Sequence, residues 1–300
     1  MKLQEVRGNV KIASIRNFDF PLKKLSLSGS VDFLVVEKNC VEFAEKISST
    51  LKHLEIDLRH KSSRTFLLSS SFSRLSNLHT LDINYKNFYI GCESCTTQPP
   101  NLAVKNLIIR GCRSYTAGDF AKIFARVPNV EVLVIRIEKC YIDNELMLVM
   151  SRYLSNLKEL NIFEADERFM DNIFMPTLQK FEIKWLRFDE MASVDVLAAI
   201  CIGFPNVSTL SMESFLLLER HEVKIITEGW KNLRVIFIGK YLLDHKILEF
   251  MFQTCSKLQF VYHTEPNVND LYSSLKGNEK VCFSKMNNSI IWSEKDFPRM

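Results

Sequence analysis

Asn156-Leu157-Lys158-Glu159-Leu160-Asn161-Ile162 is the stretch on which the fold turns. Counted from Leu157, apolar residues stand at the first, fourth and sixth places, L-x-x-L-x-I. This is too short for an amphipathic helix, and its last three residues alternate inward, outward, inward as a half-buried strand does. The phrase returns as Leu22/Leu25/Leu27, Leu51/Leu54/Ile56, Leu78/Leu81/Ile83, Val104/Leu107/Ile109, Val130/Leu133/Ile135, Leu178/Phe181/Ile183, Val207/Leu210/Met212, Leu233/Ile236/Ile238 and Leu258/Val261/His263. Only His263 breaks the apolar rule. With 47% apolar residues overall, about 14 of the 30 places would be apolar in a meaningless register. The observed 29 make the register real. Successive copies start 29, 27, 26, 26, 27, 21, 29, 26 and 25 residues apart, a period that signals stacked supersecondary units. Several copies open on proline or asparagine, as in Pro128-Asn129-Val130, Ser155-Asn156-Leu157 and Lys231-Asn232-Leu233.

Between the phrases the apolar spacing moves toward 3.6. Residues 41–47, 119–126, 145–153, 194–202, 219–227 and 244–252 read as helices, with Thr116 and Asp119 resembling a capping arrangement and Asp143 placed to cap the third of them. Leu146, Val149, Met150 and Tyr153 are expected to form its apolar stripe. Residues 87–101, with Gly91, Cys92, Cys95, Pro99 and Pro100, read as an irregular loop. Residues 1–20 are expected to cap an array of about ten strand-and-helix units over 21–265. Residues 266–300 cap its far end, with a closing strand at 281–283 and an apolar latch at 290–292.

Composition narrows the function classes. Thirty-nine basic and 35 acidic side chains give a net charge of +4, too balanced to announce a polyanion, so no nucleic-acid partner is expected. Eight scattered cysteines and an N-terminus without an apolar signal core point to an intracellular home, cytoplasm or nucleus. The longest nearly apolar run, 194–204, contains Asp195 and is far short of the ~18 residues a spanning helix requires, so no membrane association is expected.

These phrases resemble the leucine-rich-repeat family, L-x-x-L-x-L-x-x-N/C-x-L. Val104-Lys105-Asn106-Leu107-Ile108-Ile109-Arg110-Gly111-Cys112 reproduces the pattern as far as its cysteine, although the other copies lack asparagine or cysteine at that place. The resemblance implies an α/β solenoid with a curved parallel sheet on the concave face and helices on the convex face. It is most similar to the repeat region of F-box/leucine-rich-repeat substrate receptors, which implies substrate recognition for a ubiquitin ligase. Cullin-type ligase components are then partners if an F-box is supplied, since no Leu-Pro-opened helical segment of that kind stands before Leu22. The competing expectation is a stand-alone binding or inhibitor protein.

No enzyme is expected. Cys92-Glu93-Ser94-Cys95 is a lone C-x-x-C without a second pair or nearby histidines. His53 and His79 read as neighbours on one face but lack a ligand set, so neither metal nor cofactor is expected. Phosphate-cradling and nucleophile-elbow motifs do not occur.

A protein ligand would lie on the concave face, where residues between the buried positions point outward. There Val235, Phe237, Phe260 and Tyr262 gather in the last two units and would bury on the order of 400 Å² under a partner. The alternative is that residues 290–292 fold back over them. A second strip, Arg110, Arg136 and Lys184 with Phe163 between, suits an acidic peptide or phosphate.

Overall fold

Each of the ten phrases contains a strand, and the strand begins one residue before the phrase's second apolar position. The computed structural model describes residues 5–8, 21–27, 44–57, 70–85, 99–112, 116–138, 143–165, 173–186, 193–212, 220–239, 245–264, 282–284 and 289–293, at some of these, such as Lys184 and Tyr262, by backbone alone. The fold is α/β, built on parallel strands. The chain divides into two compact units, Met1–Cys140 with Glu145–Leu157 and Tyr141–Asn144 with Lys158–Met300.

In the first unit, β1 (Glu5–Gly8), β2 (Lys24–Leu27), β3 (His53–Asp57), β4 (Thr80–Tyr85), β5 (Asn106–Cys112) and β6 (Val132–Glu138) pair in chain order, all parallel. The register aligns Leu25, Leu54, Leu81, Leu107 and Leu133 in one row. Those five side chains are all at most 1% exposed. The segment expected only to cap the array thus supplies a strand of its own, β1, paired with β2. In the second unit, β7 (Glu159–Ala165), β8 (Lys180–Leu186), β9 (Thr209–Met212), β10 (Val235–Gly239) and β11 (Phe260–Thr264) are likewise parallel in chain order, with Leu160, Phe181, Leu210, Ile236 and Val261 aligned and buried. Two short strands, β12 (Cys282–Ser284) and β13 (Ser289–Ser293), then run antiparallel, β13 pairing with β11.

The first apolar residue of each phrase lies outside the strand, in the turn before it, yet all ten are buried. The turn repeats its hydrogen bonds. The Leu78 N–H donates to the Leu75 carbonyl at 3.1 Å, Leu178 to Met175 at 3.2 Å, Leu233 to Trp230 at 3.1 Å and Leu258 to Cys255 at 3.1 Å. One carbonyl per strand approach then receives two N–H groups of the next strand. Lys52 O takes those of His79 and Thr80, Lys105 O those of Glu131 and Val132, and Ser208 O those of Arg234 and Val235.

The connectors are mostly helical. In the first unit lie a 3-10 turn (Ser70–Arg74), α1 (Ala117–Arg126) and α2 (Asn144–Tyr153); in the second lie α3 (Ser193–Gly203), α4 (Arg220–Gly229) and α5 (His245–Thr254). Thr116 caps α1 with the reciprocal Asp119 bonds of a capping box, which satisfies two orphan donors of the first turn. The stripe of α2 is displaced from expectation: Leu146, Met147 and Met150 are buried, whereas Val149 and Tyr153 are half-buried. The buried rows face this layer. Phe181 of β8 meets the ring of Phe204, just past α3, edge-on at 5.1 Å, and the buried Trp230 donates its indole N–H to the Phe204 carbonyl at 2.8 Å. Among the described residues no helix is long and apolar enough to cross a membrane.

Backbone groups at the turns are satisfied from the asparagines that open the phrases. Asn77 Nδ2 donates to Ser49 O at 3.0 Å, Asn129 Nδ2 to Leu102 O at 3.1 Å and Asn206 Nδ2 to Pro176 O at 2.9 Å. Asn156 donates to Asn129 Oδ1, Asn232 to Asn206 Oδ1, and Lys257 Nζ to Asn232 Oδ1 at 2.6 Å. An amide ladder therefore runs before the strands, where a leucine-rich pattern would place one after them. Asn101, 1% exposed, does similar work inside: its Nδ2 donates to the carbonyls of Phe72 (2.8 Å) and Leu75 (3.2 Å), and its Oδ1 accepts from the Ala103 N–H.

Candidate functional site

Alternation along a strand sends every second residue to the face opposite the buried row. In the second unit the register sets Glu159, Lys180, Thr209, Val235 and Phe260 in one such row, and Asn161, Glu182, Ser211, Phe237 and Tyr262 in the next. The rows are polar at β7 to β9 and turn apolar at β10 and β11. Phe237 and Phe260 are each 37% exposed, and Val235 is half-buried. Two large aromatic side chains this exposed beside one another on a sheet face form a candidate contact surface.

Residues 290–292 do not fold back over that face; they lie in β13, which extends the sheet edge-on. Ile291 stands opposite Tyr262, Trp292 opposite Val261 and Ser293 opposite Phe260. The reason is the free edge of β11, whose unpaired N–H and C=O groups take up the returning chain. Trp292 thereby joins the row of Ile236 and Val261, and Ile291 prolongs the row of Phe237 and Tyr262.

In the first unit the corresponding face is charged. Ser26, Glu55, Asp82, Ile108 and Val134 form one row, and Asn84, Arg110 and Arg136 the row beyond it. Asp82 is the exception to outward exposure, being 1% exposed. Arg110 Nη2 donates to Asp82 Oδ2, while Asp82 Oδ1 has no hydrogen-bond partner among the described residues. Burial raises the Asp82 pKa above its ordinary 3.8, against the opposing pull of the Arg110 charge and hydrogen bond; Glu55 adds to the rise and Lys24 offsets some of it. The Arg110 side chain remains 47% exposed, and Arg136 is exposed beside it. Gly111 follows with φ 148°, a backbone conformation that side-chain-bearing residues rarely adopt.

Of the expected strip of three cations, two lie in the first unit and one in the second. Arg110 and Arg136 are in register on β5 and β6 of the first unit, whereas Lys184 lies on β8 and Phe163 on β7 of the second, with only their backbone described. His53 and His79 do not occupy equivalent places in adjacent strands. His53 stands opposite Thr80, and His79 sits one residue earlier, where its Nδ1 meets Asn106 Nδ2 at 3.2 Å. His79 thus stands in the turn before β4, with its Nδ1 also 3.5 Å from Thr80 Oγ1, and is not in register with His53.

Chemistry elsewhere is sparse. Among the described residues no three His, Cys, Asp or Glu side chains are grouped to hold a metal ion. The Cys92 and Cys95 pair lies outside the described residues. Cys201 and Cys255 are buried thiols not joined in a disulfide, and burial pushes the Cys201 thiol up to about 12, far from a reactive thiolate. Nothing in Asp82-Ile83-Asn84 marks Asp82 as buried among its outward neighbours. Compared with known protein families the chain finds no match, and no curated protein matches it either.

Proposed function

We propose that the chain is a curved leucine-rich-repeat solenoid that binds another protein on the exposed face of its sheet, serving as the substrate-recognition part of an F-box type ubiquitin ligase. The observation that carries the binding reading is the row structure itself: aligned aliphatic side chains are sealed on one side of each strand, while Val235, Phe237 and Phe260 stand on the other with the two phenylalanines over one-third exposed. A rigid sheet edged by strands supplies many aligned side chains without loop ordering, which lowers the entropic cost of association. The ligase role is supported by the sequence resemblance and requires an F-box from elsewhere.

The test is affinity capture from the native cell with the wild-type chain and with a Phe237→Ala, Tyr262→Ala variant that keeps its circular dichroism and melting temperature. The reading expects a protein held by the wild type and lost by the variant; identical recoveries, or unfolding of the variant, would overturn it. Association of the same sample with a cullin adaptor supports the ligase role, and its absence leaves a stand-alone binding protein.

A further inference from the structure

Arg110 and Arg136 occupy facing positions on adjacent parallel strands, about 4.8 Å apart by strand spacing. Like charges placed side by side in this way repel and lower stability. One of the two is restrained by the fold: the buried Asp82 carboxylate holds a single Nη2 of Arg110 and leaves the rest of that guanidinium outward, with other donors to offer. The other is not. Arg136 is exposed and has no hydrogen-bond or ion-pair partner among the described residues. Two residues before the arginines on the same two strands stand Ile108 and Val134, in register and half-exposed, with Val132 two residues further back.

We infer that Arg110 and Arg136 together clamp a carboxylate of an extended protein segment whose neighbouring apolar residue rests on Ile108 and Val134. The inference deepens the reading of the sheet face as a protein-binding surface and rests on it. An anion between the guanidinium groups relieves their repulsion and gains charge-assisted, forked hydrogen bonds. Asp82 acts as a positioning residue, since a guanidinium tethered by a buried acid has less freedom to lose on binding. A nucleic acid is the poorer fit. Its phosphates would run on toward Glu55 and Asp82 two residues back along the face, and the chain carries 35 acidic against 39 basic side chains.

The test uses the full chain and immobilised heptapeptides centred on leucine-glutamate-leucine, the same peptides with glutamine for glutamate, and single-stranded oligouridine. The wild type is expected to hold the glutamate peptide about tenfold more tightly than the glutamine peptide, a preference that weakens with salt. Arg136→Gln removes that preference, and Arg136→Lys keeps only part of it because an ammonium cannot fork. Equal binding of the two peptides, an unchanged preference in Arg136→Gln, or tighter binding of oligouridine overturns the clamp. Because Arg136 is exposed, its replacement spares the core, and circular dichroism verifies this. If the clamp fails while Phe237→Ala still releases a captured protein, the binding face stands without it; if both tests fail, both readings do.

Discussion

Replacing Leu160 by alanine tests the inward row directly. Leu160 is 1% exposed in β7 and stands in register with Phe181, itself 1% exposed. Removing three methylene-sized groups forfeits about 0.8 kcal/mol each, about 2.4 kcal/mol in all. A cavity term adds to this, and the total for such truncations is about 2 to 5 kcal/mol. The facing phenylalanine ring, pinned edge-on against Phe204, limits how far the site can collapse, so the upper half of that range is expected. The assay is urea unfolding followed by tryptophan fluorescence. All three tryptophans, Trp185, Trp230 and Trp292, belong to the unit that contains Leu160, so the signal reads that unit. Asn161→Ala is the control: one residue on, half-buried on the opposite face, it should change stability by no more than about 0.5 kcal/mol. A loss below about 1 kcal/mol for Leu160→Ala, or a larger loss for Asn161→Ala, would refute the alternation on which the reading of the sheet depends.

Gly229 closes α4 against α3, and a Cβ placed there would lie 2.5 Å from Cys201 Cβ and 2.6 Å from its Sγ. Gly229→Ala should therefore cost about 1 to 3 kcal/mol by overpacking despite alanine's better helix propensity, seen as a lower melting temperature; a rise would show that the contact is slack. Asp82 supplies a pH signature. Its folded pKa is raised, so the protonated form favours folding; this contribution is complete below 3.8 and is lost as pH rises through the folded value. The stability of Asp82→Asn relative to wild type should accordingly increase with pH in urea titrations at a series of pH values, and the opposite slope would mean that Arg110 outweighs the desolvation.

Local chemistry wrote much of this protein into its sequence. The strands around Leu160, Leu107 and Ile236 were legible because alternation and the Leu-x-x-Leu spacing are properties of a few consecutive residues, and the capping box of Thr116 and Asp119 is equally local. The outward placement of Phe237 and Phe260 followed from the same period of two. What only the tertiary structure decided is everything that depends on which strand lies beside which, and in what register. The buried Asp82 takes its partner from Arg110, 28 residues later in the chain on β5, and His79 lies beside Asn106, 27 residues on, rather than in register with His53. Residues 290–292 carry enough apolar character to cover a face, yet they close an edge instead, because the backbone of β11 offers a row of hydrogen bonds there. A side chain's type is written at its own position; its partner is chosen by chain that folds beside it from far away in the sequence.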